Sequence, residues 1–301
     1  MSVIDELQTA IELVATSVGP SVVGIGRHQR GSGVVIDGGR VLTNAHNLRG
    51  ETATVTFADG RSAVGRLAGI DLDGDLAVLD VDTAGATPLA WGGADTIAVG
   101  SVVFGASASS GGGTRVTFGT ISAVARAFRG PGGRRIAGSL EHTAPLAAGS
   151  SGGPVVDAEG RFIGLNTNRL GEGFYLALPA DAALRQRVDA LGRGDAVERP
   201  RLGVSLAPVH VARRLRRSVG LPEREGLLVR GVADGGPAAA AGVLEGDLIV
   251  AVAGRSVADA DALIEAIAAQ AGPYEVQIVR GVEELTVTVG ASSGGGPAAL
   301  A

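Results

Sequence analysis

Three side chains of this 301-residue sequence have the types and settings that acyl transfer requires. His46 ends Val41-Leu-Thr-Asn-Ala-His46, an apolar strand running into a polar turn. Asp75 opens Asp75-Leu-Ala-Val-Leu, an acid at the mouth of a buried strand, preceded by Asp71 and Asp73. Ser151 lies in Gly149-Ser150-Ser151-Gly152-Gly153-Pro154, too rich in glycine for regular structure. Alone, each signal is weak: a single histidine at a strand end is usually solvated, and a Gly-Ser loop is usually a turn. Together they supply a nucleophile, a base to take its proton, an acid to fix the imidazole tautomer, and N–H donors for an oxyanion. The small residues around Ser151 let a substrate approach and let the Gly149 and Ser151 N–H groups face one way. The remaining histidines are His28, His142 and His210. Gly149-Ser-Ser151-Gly-Gly also fits the nucleophile elbow of esterases. That fold needs a helix after the serine and a later histidine, whereas a strand follows here and only His210 comes later.

The elements that must position these groups read mostly as strands. Ile4, Leu7, Ile11 and Val14 recur at helical spacing, so a short amphipathic helix over 1–18 opens the chain and ends at Gly19-Pro20. Short apolar runs separated by glycine-rich turns follow, among them 21–26, 33–36, 52–57, 76–81, 101–104, 116–124, 155–156 and 162–166. This spacing predicts an all-β barrel or sandwich. A helix over 180–191 closes the first domain, 1–192, and a polar linker spans 193–200. The second domain, 201–290, reads as a compact α+β module with strands at 227–232, 276–279 and 285–289 and a helix within 259–270. A flexible tail is expected over 291–301.

Composition narrows the chemistry. The chain has no cysteine, which removes thiol nucleophiles, disulfides, zinc ribbons and iron–sulfur clusters. Its net charge of −5 argues against a general nucleic-acid binder. No apolar run approaches the roughly 18 residues of a membrane span. All 26 positive charges are arginine. Arg213, Arg214, Arg216 and Arg217 form a cluster on a predicted helix, read as a solvated face, with an anionic partner as the alternative. The first residues carry two acids and no basic flank, unlike a signal peptide, so a cytoplasmic location is expected, or an extracytoplasmic one for a processed chain.

The order His46, Asp75, Ser151, separated by 29 and 76 positions, is that of the two-barrel serine proteases. Thr43-Asn-Ala-His46, Asp75-Leu-Ala-Val-Leu and Gly149-Ser-Ser-Gly-Gly-Pro154 resemble the three signatures of the trypsin-like fold in the form used by the HtrA/Deg family. Val18-Gly-Pro-Ser-Val-Val, Arg161-Phe-Ile-Gly-Leu-Asn and Gly173-Phe-Tyr-Leu-Ala-Leu-Pro179 resemble that family's flanking strands. Gly231 to Ile249 resembles the centre of a PDZ domain, so the likeness covers roughly residues 10–290. The implied fold is mainly β: a trypsin-like double β-barrel followed by a small α+β PDZ domain.

The resemblance makes Ser151 the nucleophile, His46 the base and then acid, and Asp75 the orienting residue. It places the oxyanion hole at the N–H groups of Gly149, Ser150 and Ser151. Pro145 stands six residues before Ser151, where trypsin-like enzymes that hold basic side chains carry an acid. Leu146, Asn168, Arg169 and Leu170 would border the primary pocket and favour a small or medium apolar residue. In the PDZ domain the carboxylate-binding loop would be Arg201-Leu202-Gly203-Val204, with backbone N–H groups holding a peptide C-terminus. Asp247 reads as a structural turn cap. The implied activity is an ATP-independent serine endopeptidase acting on unfolded polypeptide, a homotrimer, with no cofactor and no metal. Three positions depart from the family pattern: Asn47 replaces an apolar residue, Ser150 an Asn or Asp, and Thr143 a frequent Asp. The altered Asn47 and Thr143 motivate a second reading, a latent or inactive relative acting as a chaperone-like polypeptide binder.

Overall fold

The computed structural model describes residues 2–27, 29–110, 112–130, 135–195, 202–207, 209–218, 220, 224–270 and 272–290. The chain divides into two compact units, Met1–Val197 and Glu198–Ala301.

The first unit opens with helix α1 (Val3–Val18). Ser2 caps it: Ser2 Oγ accepts from the Asp5 N–H, and the Asp5 carboxylate accepts from the Ser2 N–H, which satisfies two donors the helix leaves open. Its apolar stripe ends in Val14 and Val18, both fully buried. Helix α1 packs against strands β7 (Val102–Ala108) and β8 (Thr114–Arg129), far along the chain. The Thr114 hydroxyl secures that contact by donating to the Gly19 carbonyl.

Strands β1 (Val22–Ile25), β2 (Gly31–Asp37), β3 (Arg40–Thr43), β4 (Thr52–Thr56), β5 (Ser62–Asp71) and β6 (Leu76–Asp80) close into a barrel in the order β1-β2-β3-β6-β5-β4. Successive side chains point to opposite faces, and both faces are used. Val23, Ile25, Val35, Val41, Val55 and Leu79 fill the barrel interior. Their neighbours Val22, Val34, Leu42, Leu76 and Val78 enter a second core. That second core is shared with the other barrel, which contributes Phe104, Phe162, Leu165, Leu176 and Leu178. Strands β7, β8, β9 (Arg135–His142), β10 (Pro154–Val156), β11 (Phe162–Gly171) and β12 (Phe174–Pro179) close that barrel in the order β10-β11-β12-β9-β8-β7. Helix α2 (Ala182–Gly192), capped by Asp181, lays Leu184, Val188 and Leu191 into the shared core.

Strands β5 and β9 were not among the expected runs. Strand β9 buries Ser139, Glu141 and His142 where an apolar alternation would be sought, and it carries Gly138.

The second unit is a sheet in the order β13-β14-β15-β17-β18, formed by β13 (Val204–Leu206), β14 (Leu227–Val232), β15 (Leu248–Val252), β17 (Tyr274–Arg280) and β18 (Glu283–Val289). The two-residue strand β16 (Arg255–Ser256) pairs with β15. Helices α3 (Val209–Ser218), α4 (Pro237–Ala240) and α5 (Ala260–Ala268) complete it, α3 being the helix of the arginine cluster. Leu202, Val229, Ile249, Val252, Leu263, Ile267 and Ile278 form its core. The linker expected over 193–200 falls partly on residues outside those described, as do the tail 291–301, Arg201 and His28.

Candidate active site

The site lies in the cleft between the two barrels. Strand β3 runs out at Thr43, and a single 3-10 turn over Ala45–Asn47 carries His46. Asp75 immediately precedes β6 with φ +55° and is fully buried. Both its carboxylate oxygens lie 2.9 Å from His46 Nδ1. A buried carboxylate needs donors on its remaining lone pairs. The His46 N–H supplies one to Oδ1 at 3.2 Å, and Thr167 Oγ1 another to Oδ2 at 2.7 Å. Asn44 Nδ2 ties down the Asp75 carbonyl at 3.0 Å. Because a carboxylate only accepts, Nδ1 carries the imidazole proton and Nε2 keeps its lone pair. The imidazole side chain is 32% exposed, open to the cleft.

The loop between β9 and β10 brings Ser151 to the same cleft. Its carbonyl accepts from the Ser32 N–H at 2.8 Å, and Ser32 Oγ donates to the Gly149 carbonyl at 2.8 Å. Ser151 Oγ donates to the Thr167 carbonyl at 3.0 Å. Thr167 thus meets the acid through its side chain and the serine hydroxyl through its backbone.

Gly149 has φ +83°, a conformation that favours glycine. Among the described residues, the N–H groups of Gly149 and Ser151 have no hydrogen-bond partner. The Ser150 N–H is committed to the Ala147 carbonyl at 3.2 Å, which removes it from the expected set of oxyanion donors.

A cavity of about 510 Å³ adjoins these groups. His46 and Ser151 stand in its wall with Leu146, Asn168 and Arg169. Leu170 does not line it. The pairing of β11 with β12 is irregular between Arg169 and Gly171, and Leu170 is 44% exposed. Phe128 and Tyr175 supply apolar wall in its place. Tyr175 stacks on His142, ring centroids 5.8 Å apart. His142 Nε2 hydrogen-bonds Asn166 Oδ1 at 2.9 Å, and Asn166 Nδ2 donates to the Pro154 carbonyl just beyond the serine loop. Burial lowers the His142 pKa to about 4. Sequence reasoning missed Asn166, Thr167 and Tyr175, whose places depend on pairing with distant strands.

In the second unit, Leu202 is buried, Gly203 has φ +79°, and Val204 pairs with Val232 at the start of β13. Strand β13 is an edge strand with β14 as its neighbour. Asp247 caps a turn by accepting from the Leu244 N–H at 2.8 Å, as expected, and also holds Arg280 through two contacts of 2.8 Å.

Comparison with known proteins agrees with both units. Residues 31–165 match the model of the trypsin-like peptidase domain, and residues 200–290 that of the PDZ domain. HhoA of Synechocystis sp., named as a serine protease, is 35% identical over 279 residues, covering 86% of this chain and 70% of HhoA. A DegP-like protein of Brucella suis, named as a periplasmic serine endoprotease, is 34% identical over 87% of this chain. The chain spans about half the length of that relative, 52%. Such names give no support to the expected cytoplasmic location, and among the described residues no helix is long and apolar enough to cross a membrane. Among solved structures, the HtrA-type protease AlgW with decapeptide superposes with a TM-score of 0.74 at 26% identity, over 93% of this chain and 97% of that one. The serine endoprotease of Yersinia pestis follows at 0.69 and 27%, over 93% and 96%. With two closed barrels, a His–Asp–Ser cleft and a separate second unit that matches the PDZ domain, the chain belongs to the HtrA-type serine proteases, a trypsin-like peptidase domain followed by one PDZ domain.

Proposed function

We propose that the chain hydrolyses peptide bonds in unfolded or extended polypeptide through an acyl-enzyme on Ser151. The observation that carries this reading is the buried Asp75 carboxylate held on His46 Nδ1 by both oxygens, which leaves Nε2 as a base beside the serine loop. Ser151 Oγ first leaves the Thr167 carbonyl and gives its proton to Nε2 as it bonds to the scissile carbonyl carbon. The Gly149 and Ser151 N–H groups receive the oxyanion. His46 then protonates the leaving amine as the C–N bond breaks. Water repeats the sequence, returning the proton to Ser151 and releasing the acid. The apolar wall of Leu146, Phe128 and Tyr175 supports a small or medium apolar residue on the acyl side of the cut.

The open edge of β13 supports addition of a peptide strand, with backbone donors around Leu202, Gly203 and Val204 taking a C-terminal carboxylate. A regulatory or recruiting role for this unit, a homotrimer and an extracytoplasmic location belong to the same reading. So do the domain limits 1–192 and 201–290. Limited proteolysis, light scattering and fractionation test them.

The decisive assay incubates an unfolded protein with wild type and with Ser151→Ala, each with and without a peptide ending in apolar residues. Cutting by wild type alone, stimulated by the peptide, is the expected result. Suppressed aggregation with no cutting in any lane would favour the chaperone-like reading. Equal cutting by both proteins would remove Ser151 from the mechanism.

A further inference from the structure

Asn47 directly follows the proposed base, and its side chain is buried. Its Nδ2 donates to the Ser151 carbonyl and to Thr43 Oγ1, both at 2.9 Å, with the Ser32 carbonyl at 3.5 Å. Three acceptors on one side settle which way the amide is turned. Thr43 Oγ1 hands its own proton to the Ser32 carbonyl at 2.6 Å. The Ser32 N–H is the second donor to the Ser151 carbonyl. Two groups of the first barrel therefore grip the nucleophile's own carbonyl, and one of them is the neighbour of His46 in sequence.

The seat is shaped for this amide. A Cβ on Gly31 would fall 2.2 Å from the Asn47 side chain, and one on Gly152 would fall 2.9 Å from Nδ2. Yet Asn47 Oδ1 is buried with no hydrogen-bond partner. An orphaned buried carbonyl oxygen opposes folding, and an apolar side chain of equal size would not carry that cost. What the amide offers in return is its bond to Ser151.

We infer that Asn47 is a positioning residue, fastening the peptide that carries the nucleophile to the turn that carries the base. This rests on the assignment of Ser151 as nucleophile. Holding the Ser151 carbonyl restricts rotation of its peptide plane, and so sets where Oγ sits relative to His46 Nε2. Misplacement of that pair by an ångström acts on the chemical step rather than on substrate binding.

The test compares the full chain as wild type, Asn47→Leu, Asn47→Asp and Ser151→Ala. Three readouts are taken: kcat and KM on a short peptide, the rate of Ser151 phosphonylation by a fluorophosphonate, and Tm. Asn47→Leu keeps the volume but removes both the donor and the orphaned oxygen. Asn47→Asp keeps the shape and turns an acceptor on the Ser151 carbonyl. The expected result for Asn47→Leu is a loss of about 10- to 100-fold in kcat and in phosphonylation rate. Its KM stays within about twofold and its Tm does not fall, because the loss lies in alignment. Asn47→Asp loses more. If Asn47→Leu does not fold, Asn47→Asp carries the same comparison. Wild-type kcat in both variants would overturn the inference, as would a loss that appears equally in KM and Tm. A Ser151→Ala protein as active as wild type would instead overturn the assignment of the nucleophile, and the positioning role of Asn47 with it.

Discussion

The cleft of the first unit and the core of the second each bury a carboxylate, and they treat it differently. Asp247 is 1% exposed and receives the Arg280 guanidinium on both oxygens, so charge meets charge and the group has nothing left to do. Asp75 is buried as deeply but meets an imidazole, a hydroxyl and an N–H, none of them a fixed cation. In the proposed mechanism its field is left to favour a positive charge that appears on His46 only during reaction. The contrast extends beyond the two acids. Among the described residues, every buried side-chain atom without a partner belongs to the first unit: Gln29, Asn44, Asn47, Ser139, His142 and Ser150. Burial of an ionisable group is therefore no guide to its role in this chain. Whether its partner can change charge is the better guide.

That comparison can be broken at its strongest point by Asp75→Asn. With the amide NH2 turned to Nδ1 it donates there, which moves the imidazole proton to Nε2 and removes the base; with the amide oxygen turned there, the negative charge that favours the imidazolium is lost. A fall in kcat of about 10³- to 10⁴-fold is expected, with Tm little changed, read by steady-state kinetics beside calorimetry. Retention of more than a tenth of the activity would remove Asp75 from its role.

His142 sharpens the contrast, because it is buried with no charged partner. Its pKa is about 4 in the folded chain, against 6.5 for an unperturbed imidazole. Between these values the unfolded chain binds the extra proton, so stability is complete above pH 6.5 and is lost as pH falls toward 4. The full loss is about 3 kcal/mol. His142→Gln keeps an N–H for Asn166 and cannot titrate, so its Tm should fall less over that window. Parallel curves for the two proteins would show that His142 does not carry the acid sensitivity.

The smallest effect is expected at Asp247→Asn. Removing one partner of the pair leaves Arg280 able to reach water, so the second unit's Tm should drop by roughly 5–10 °C. Cleavage of a short peptide should not change. A loss of peptide cleavage without a loss of stability would show that the two carboxylates are not divided between chemistry and structure.

Much of this was legible because the proposed reacting groups stand where strands stop. His46, Asp75 and Ser151 each sit at a switch from apolar alternation to a polar or glycine-rich turn, and the turns survive in the fold. Thr167 was not legible, since it reaches Asp75 across 92 residues and only the closure of the second barrel brings them together. Tyr175 was hidden for a related reason: its neighbours His142 and Arg169 lie on two different strands. Leu170 was placed in the pocket wall by family position, which does not register that β11 slips between Arg169 and Gly171. Strand β9 escaped notice because it turns Ser139, Glu141 and His142 inward, which reads as surface in any hydrophobic pattern.

Helix α1 has a consequence in time. It is synthesised before either barrel, yet the strands it packs against, β7 and β8, begin at Val102 and Thr114. At translation rates of about 5–20 residues per second, Val14 and Val18 wait on the order of ten seconds for their burial partners. During that wait His46 and Asp75 have been made, but Ser151 has not. The same late strands that cover the helix also precede the nucleophile loop. Part of the surface that covers the helix is therefore synthesised before the proposed nucleophile.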